Sequence, residues 1–185
     1  MKKTVNVLGL FCCLAVLQVA VPIFLFVRHQ SVLRTGRQFR FAARPVDPYD
    51  AFRGRYVALG FEQDRTVVPG NTNLKRGQKV YISIKEDGRG FAEIAGISHG
   101  RPAEGDYVQA RVSHARGEEV HIRFPFTRYY TEEKLASGAE SAYQKHSGAG
   151  AGDTYVTVRI KSGYAAIEEL HIAGRPVLEF LQENP

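Results

Sequence analysis

Cysteine is nearly absent from this 185-residue chain, and both copies, Cys12 and Cys13, lie in the apolar stretch at its start. The rest of the chain therefore has no disulfide and no thiol. Several signatures are missing as well: His-Glu-x-x-His, Cys-x-x-Cys, Ser-x-x-Lys and the Gly-Lys-Ser/Thr end of a phosphate loop. We predict no catalytic, cofactor-binding or metal-binding residue, and an enzymatic role is the less favoured interpretation.

Acidic residues are absent from the first 44 positions, which carry seven Lys and Arg side chains. The remaining 141 residues hold 18 basic and 19 acidic side chains, so their net charge is −1. The overall charge of +6 thus arises beside the N-terminal apolar stretch and not in the body of the protein. Because a phosphate-backbone binder needs a basic face, we exclude a nucleic-acid partner.

Residues 5–27, between Lys3 and Arg28, form a largely apolar run with no ionisable side chain except the two cysteines. As a helix this run is about 34 Å long, against roughly 30 Å of hydrocarbon in a bilayer. We interpret residues 1–30 as a tail and an uncleaved transmembrane anchor in the inner (cytoplasmic) membrane, and residues 31–185 as a soluble domain. The alternatives are a cleaved signal peptide, which is disfavoured by the length and by the lack of an A-x-A-like site, and a buried core helix.

The orientation of this span stays open from charge alone. Lys2 and Lys3 place the N-terminus in the cytoplasm, whereas the five arginines at positions 28–44 favour the opposite arrangement. A short tail followed by one span and a large C-terminal domain is the ordinary layout of an exported signal-anchor protein. We therefore expect the C-terminal domain on the periplasmic side.

The middle of the chain is patterned as β-strands. Residues 37–41, 80–84 and 155–160 alternate between β-branched or aromatic and polar side chains, and residues 56–61 form a similar apolar run. Glycine-containing turns at 87–88, 116–117 and 162–163 join strand-like runs as hairpins. The predicted fold is mainly β, a barrel or sandwich with one short inserted helix, preceded by a single transmembrane helix.

Two 22-residue stretches resemble each other, residues 81–102 and residues 155–176. Each begins Tyr-β-x-β-basic, turns through glycine and ends Gly-Arg-Pro. A Gly-x-Tyr-Val lies upstream of each, at residues 54–57 and 105–108, and the second copy carries a 23-residue insertion. The pattern predicts pseudo-duplicated hairpin units that pack together, with chance similarity between hairpins as the alternative.

The insertion predicts a helix over residues 132–146 and a flexible linker over 147–153. Arginine and aromatic residues alternate just before this helix, and such mixtures are enriched at protein interfaces. The alternative is a strand edge that the helix covers. The candidate interface comprises Arg123, Phe124, Phe126, Arg128, Tyr129, Tyr130, Glu133 and Glu140.

Other polar groups are weaker candidates for chemistry. Gly96-Ile-Ser98-His-Gly100 fits Gly-x-Ser-x-Gly, but no helix pattern follows, so we expect a strand end that breaks into a turn. If His114 and His121 flank the turn at 116–117, His121 pairs with Val112, and no metal-ligand spacing results. Asp47 and Asp50 flank a proline and either cap a turn or serve as a cation or acid–base pair.

These residues resemble the GDYXXLXY family, membrane-anchored bacterial proteins of undefined function. Residues 54–61 match its name at Gly, Tyr and Leu but depart at Arg55, where the family has aspartate, and at Phe61. Residues 44–53 and 128–133 are similar to two further family stretches. The residues that we associate with the family motif are Asp47, Pro48, Asp50, Arg53, Gly54, Tyr56, Leu59, Gly105, Asp106 and Tyr107.

The resemblance implies a partner among polytopic membrane proteins and brings no established reaction. The charge reversal at Arg55 argues against a catalytic acid there, and an ion pair between Arg55 and Asp106 is a geometric hypothesis. We interpret the protein as a binding or assembly module for an integral membrane partner, held against the lipid bilayer. The alternative is an envelope hydrolase with a signal-peptidase-like β-barrel.

Overall fold

The computed structural model describes residues 7–45, 56–68, 74–148 and 153–183. The helices are α1 (Val7–Thr35), α2 (Glu133–His146) and α3 (Val177–Glu183). The strands are β1 (Arg37–Arg44), β2 (Tyr56–Ala58), β3 (Gly60–Phe61), β4 (Arg65–Val67), β5 (Lys79–Glu86), β6 (Ala92–Ser98), β7 (Asp106–Arg116), β8 (Glu119–Arg123), β9 (Arg128–Tyr130), β10 (Tyr155–Lys161), β11 (Tyr164–Ile172) and β12 (Arg175–Pro176).

The N-terminal helix α1 is long and apolar enough to span a membrane, with a mean hydropathy of 2.7 in its most apolar window. None of that window is buried against the protein. The helix runs past residue 30, so the predicted boundary between anchor and domain falls inside α1. Its last turns pack on β10 and β11, where Val32 is buried.

The strands form two five-stranded antiparallel sheets that together make a nearly closed barrel. Their orders are β12-β11-β10-β1-β3 and β4-β8-β7-β5-β6. Single parallel bridges join the sheets, one between Arg40 and Phe91 and the other between Val108 and Gly163. The mainly β fold with an inserted helix is therefore confirmed.

The two predicted hairpin units are β5–β6 and β10–β11. Each carries a β-bulge at the equivalent point, between Ser83 and Ile84 in the first and between Thr157 and Val158 in the second. A bulge inserts an extra residue and bends the strand, so its recurrence 74 residues later shows that the repeat has a structural basis.

The upstream part of the predicted repeat is different in the structure. β1 precedes the first hairpin but pairs with β10 of the second, and β7 precedes the second hairpin but pairs with β5 of the first. The equivalent of β7 is thus β1, not the stretch at 54–57. A four-residue likeness is too short to determine the pairing, which the long-range sheet contacts decide.

Aromatic rings fill one end of the barrel. Phe41 packs edge-to-face on Phe61, Phe124 and Phe126, with centroids 5.6, 5.5 and 5.0 Å apart. Aromatic pairs of this geometry contribute about 0.5–1.5 kcal/mol each beyond their buried area. These ring contacts therefore hold together β1, β3 and the segment after β8 in the core.

The predicted register of the β7–β8 hairpin is wrong: His121 pairs with His114 and not with Val112, because the two turn residues are Gly117 and Glu118 and not Arg116 and Gly117. The two imidazole rings meet edge-to-face with centroids 5.9 Å apart. A shift of the turn by one residue moves every pair of the hairpin, and a bulge between Val112 and His114 then pairs Val112 with Ile122.

Candidate protein-interaction surface

Strands β2 and β9 form a separate two-stranded ribbon, which we call the β2–β9 ribbon. Tyr56 pairs with Tyr130, and Ala58 pairs with Arg128. The ribbon thus joins two of the stretches that resemble the GDYXXLXY family, which lie about 70 residues apart in the chain. The predicted run at 56–61 is divided at Leu59, since β2 pairs with β9 whereas β3 pairs with β1.

The outer face of the ribbon presents aromatic rings and a cation. The rings of Tyr56 and Tyr130 have centroids 5.8 Å apart, and the Arg128 guanidinium carbon lies 4.9 Å from the Tyr56 centroid. Tyr130 is 67% exposed. The hydrogen bond with Tyr130 raises the pKa of Arg128, so this cation stays charged. Tyrosine and arginine are the side chains that carry most binding energy in protein interfaces.

The inner face of the ribbon is tied to the barrel. Val57 is buried, and the Tyr129 hydroxyl donates a hydrogen bond of 2.8 Å to Glu169 on β11. Burial, and then the nearby Glu169 carboxylate, raise the pKa of Tyr129. Alternation along two three-residue strands therefore leaves Tyr56, Arg128 and Tyr130 facing outward on a fixed support.

Helix α2 supports the same region through Tyr143, whose side chain is fully buried. The hydroxyl accepts a hydrogen bond of 3.1 Å from the Gly60 backbone N–H and donates one of 2.8 Å to the Arg44 carbonyl. Burial raises the pKa of Tyr143 to about 12. One hydroxyl thus fixes the end of β1 to the start of β3. The only local signal for this link is the position of Tyr143 on a helix face.

Half of the predicted motif residues lie outside the residues that the structure describes: Asp47, Pro48, Asp50, Arg53 and Gly54. Arg55 does too, so its predicted ion pair with Asp106 stays a hypothesis. Asp106 accepts a hydrogen bond of 3.0 Å from Arg37. Leu59 is a buried core residue, and the Tyr107 ring lies beneath Gly163. Gly105 precedes β7 with a positive φ of 81°.

The predicted interface residues do not all lie on one surface. Phe124 and Phe126 are 2% and 5% exposed, so they belong to the core and are removed from the candidate surface. Arg123, Phe124, Pro125 and Phe126 alternate out and in, a period-two pattern that could have indicated this. Glu140 is half-buried on α2, and the Glu133 side chain lies outside the described residues.

Arg123 belongs to a different surface, a row of cations across three strands. Lys79 pairs with Arg111, and Arg111 pairs with Arg123, so three like charges lie side by side. They line an open groove of about 370 Å³ together with Phe124 and Pro125. Like charges directly opposite each other in a sheet are destabilising.

Ser98 ends β6, and its hydroxyl donates a hydrogen bond of 2.7 Å to the Gly100 carbonyl. His99, its neighbour, contacts Gln78 at 3.0 Å. The turn that was expected after Ser98 is therefore present. A nucleophilic serine needs its proton directed at a base, and the Ser98 proton is directed at a backbone carbonyl.

The sequence of the chain matches one known protein family. The sequence profile described as GDYXXLXY protein matches residues 18–170, which is most of the chain. The chain belongs to the GDYXXLXY protein family. The match includes both strands of the ribbon and the C-terminal part of α1. No curated protein and no solved structure matches the chain.

Proposed function

We propose that this GDYXXLXY protein is a membrane-anchored docking module, and that the outer face of its β2–β9 ribbon binds an integral membrane protein. The ribbon is the observation that carries the proposal. It brings two family-like stretches into one patch, in which Arg128 and Tyr130 are exposed and Tyr56 is half-buried. The patch is fixed to the barrel through Tyr129, so little side-chain ordering opposes binding.

The N-terminal helix restricts the partner. A domain that begins one residue after an apolar helix of 29 residues works within reach of the bilayer. Polytopic membrane proteins expose extramembrane loops at this distance from the bilayer. The proposal includes a periplasmic position of the ribbon, with the helix as an uncleaved signal anchor in the inner membrane.

Site-specific photocrosslinking tests the proposal. A benzophenone amino acid replaces Tyr130, and intact membranes are irradiated. We expect an adduct with a protein that resists alkaline extraction from the membrane. Arg128→Ala in the same background weakens the adduct at least about tenfold, the usual size of a hot-spot loss.

Val67 is the matched control position. It is 66% exposed, close to the value for Tyr130, but it lies on β4 at the edge of the other sheet. Benzophenone at Val67 is expected to give no adduct with the same protein. Equal adducts from both positions, or no adduct from Tyr130, would remove the ribbon as the docking surface.

Sidedness has a separate test, because the two native cysteines lie within the apolar helix. Val67→Cys supplies one accessible thiol in the domain. A membrane-impermeant maleimide is expected to label this thiol in cells with an intact inner membrane. Labelling only after the inner membrane is broken would place the domain in the cytoplasm.

A further inference from the structure

The end of α1 is fixed to the turn between β10 and β11, which we call the 161–164 turn. The Lys161 ammonium group donates hydrogen bonds of 2.6 Å to Thr35 Oγ1 and 3.1 Å to Ser31 Oγ. The Arg28 guanidinium carbon lies 4.0 Å from the centroid of the Tyr164 ring. The turn therefore contacts three positions along the last two turns of the helix.

The strand register shows in which direction this turn extends. Gly36 alone separates α1 from β1, and Arg37 at the start of β1 pairs with Ile160. Residues 161–164 thus extend beyond the first pair of β1 and run back alongside the helix. Because β1 continues away from the helix, the turn extends toward the apolar end of α1, and the rest of the barrel lies on the other side.

The length of the apolar run determines the depth of the turn. Residues 5–27 cover the hydrocarbon, so Arg28 lies at its boundary, and the headgroup layer adds about 5–8 Å beyond it. Tyr164 stacks on Arg28 and therefore lies at the base of that layer. Arg34, six residues further on, is about 9 Å higher, just beyond the outer edge of this layer. Tyrosine rings are enriched at this depth in membrane proteins.

Three cations lie on the turn or on the helix turns that it contacts. Above the turn, Arg159 makes a two-point contact with Glu168 at 3.0 and 2.8 Å, and Arg37 pairs with Asp106. At the depth of the turn, Arg28, Arg34 and Lys161 have no carboxylate within ion-pair distance among the described residues. These three cations therefore lack a protein counter-charge among the described residues, as do Lys79, Arg111 and Arg123 on the barrel.

The turn is also held rigidly. Ser162 and Gly163 both have positive φ, of 50° and 85°, as a two-residue hairpin turn with matching twist requires. The Gly163 carbonyl accepts a hydrogen bond of 3.1 Å from the Gln109 N–H. At the other end, Arg159 donates to the Gly36 carbonyl at 3.2 Å. These contacts fix the turn to β7 and to the residue that joins α1 and β1.

We infer that the 161–164 turn lies in the lipid headgroup layer, where Tyr164 anchors it and Arg28, Arg34 and Lys161 bind the phosphates of anionic phospholipids. The inference is independent of the proposed partner and of which side of the membrane holds the domain.

Tryptophan is absent from the chain, so single substitutions supply depth probes. Tyr164→Trp keeps a ring for Arg28 to stack on, and His29→Trp reports the same level from the helix. Tyr130→Trp, on the ribbon, is the control. In full-length protein reconstituted in phosphatidylcholine and phosphatidylglycerol vesicles, we expect blue-shifted emission at 164 and 29, with quenching by headgroup-nitroxide lipid.

Tyr130→Trp is expected to emit as in water and to be quenched by iodide instead. If position 164 behaves like position 130 while position 29 is quenched by lipid, the turn is outside the headgroup layer and the inference is wrong. The tryptophan at position 29 lies on the helix and must also report headgroup depth. It therefore keeps the test valid even where Tyr164→Trp perturbs the turn.

Lipid selectivity has its own measurement. Brominated phosphatidylglycerol is expected to quench the 164 probe about twofold more than brominated phosphatidylcholine at the same mole fraction, since three cations enrich the anionic lipid. Lys161→Gln with Arg34→Gln is expected to remove the difference. Arg123→Gln, which changes an exposed cation on β8 beside Arg111, is expected to leave it unchanged. Equal quenching by both lipids in the unmodified background would contradict the phosphate contacts.

Discussion

The Tyr129 hydroxyl donates a 2.8 Å hydrogen bond to a carboxylate oxygen of Glu169, a residue 40 positions further along the chain. Tyr129 lies on the inner face of the β2–β9 ribbon, and Glu169 lies on β11 of the barrel. Glu169 also accepts a hydrogen bond of 3.2 Å from the Leu170 N–H. The ribbon is thus fastened to the same hairpin that contacts the end of α1.

Tyr129→Phe is expected to lower the melting temperature by several degrees. A hydrogen bond to a charged group contributes about 1.5–3 kcal/mol, and each kcal/mol shifts the melting temperature by about 2–4 °C in a domain of this size. Circular dichroism of the full-length protein in detergent measures this shift. Tyr130→Phe, whose hydroxyl is exposed, is the control. A double-mutant cycle with Glu169→Gln must show coupling, and additive losses would contradict the contact.

Tyr143→Phe is expected to change the dependence of stability on alkaline pH. The pKa of Tyr143 is about 12 in the folded protein and near 10 in an unfolded chain. Above pH 10 the unfolded chain releases this proton first, so the free energy of unfolding falls as pH rises toward 12. The Phe variant lacks this contribution but leaves the Gly60 N–H unpaired. Its melting temperature should be lower than that of the unmodified protein at pH 8 and should fall less between pH 9 and 11. Parallel curves of melting temperature against pH for the two proteins would refute the raised pKa of Tyr143.

Gly163→Ala tests the close contact under the 161–164 turn. A Cβ built at Gly163 lies 2.8 Å from Cε2 of Tyr107, whereas a Cβ at Gly105, with a nearly equal φ of 81°, meets nothing within 4 Å. Both variants share the cost of a positive φ. We expect Gly163→Ala to be less stable than Gly105→Ala by about 1–3 kcal/mol, the usual cost of overpacking. Equal melting temperatures would show that Tyr107 moves aside freely.

Arg111→Gln is expected to stabilise the protein at low salt. The substitution removes the middle charge of the row formed by Lys79, Arg111 and Arg123, and each like-charged cross-strand pair costs roughly 0.2–1 kcal/mol. The gain should shrink at high salt, where exposed charges are screened. Arg116→Gln is the matched control, because Arg116 pairs with the acidic Glu119. A melting temperature that falls equally in both variants would contradict the repulsion.

Local patterns were sufficient to predict parts of the fold. The repeated Tyr-β-x-β-basic stretches indicated both hairpins, and the structure places a bulge at the same point in each. The inserted helix was expected at 132–146 and runs from Glu133 to His146. Periodicity and turn residues are local signals, so they are read correctly wherever neighbouring residues decide the conformation.

The contacts that build the candidate surface could not be predicted in this way. Tyr129 meets Glu169, and Lys161 meets Ser31, across 40 and 130 residues of chain. These contacts depend on the exchange of β1 and β7 between the hairpins, which no local pattern encodes. The burial of Phe124 and Phe126 was predictable from the sequence, because their alternation with Arg123 and Pro125 indicates one buried face.

The central claim is that α1 remains part of the mature protein and holds the barrel at the bilayer. The most direct measurement is the intact mass of the protein recovered from cell membranes after alkaline extraction. We predict a mass that includes residues 7–27 and recovery in the membrane pellet. A mature chain that begins after residue 27, or one that is released into the aqueous fraction, would contradict the account.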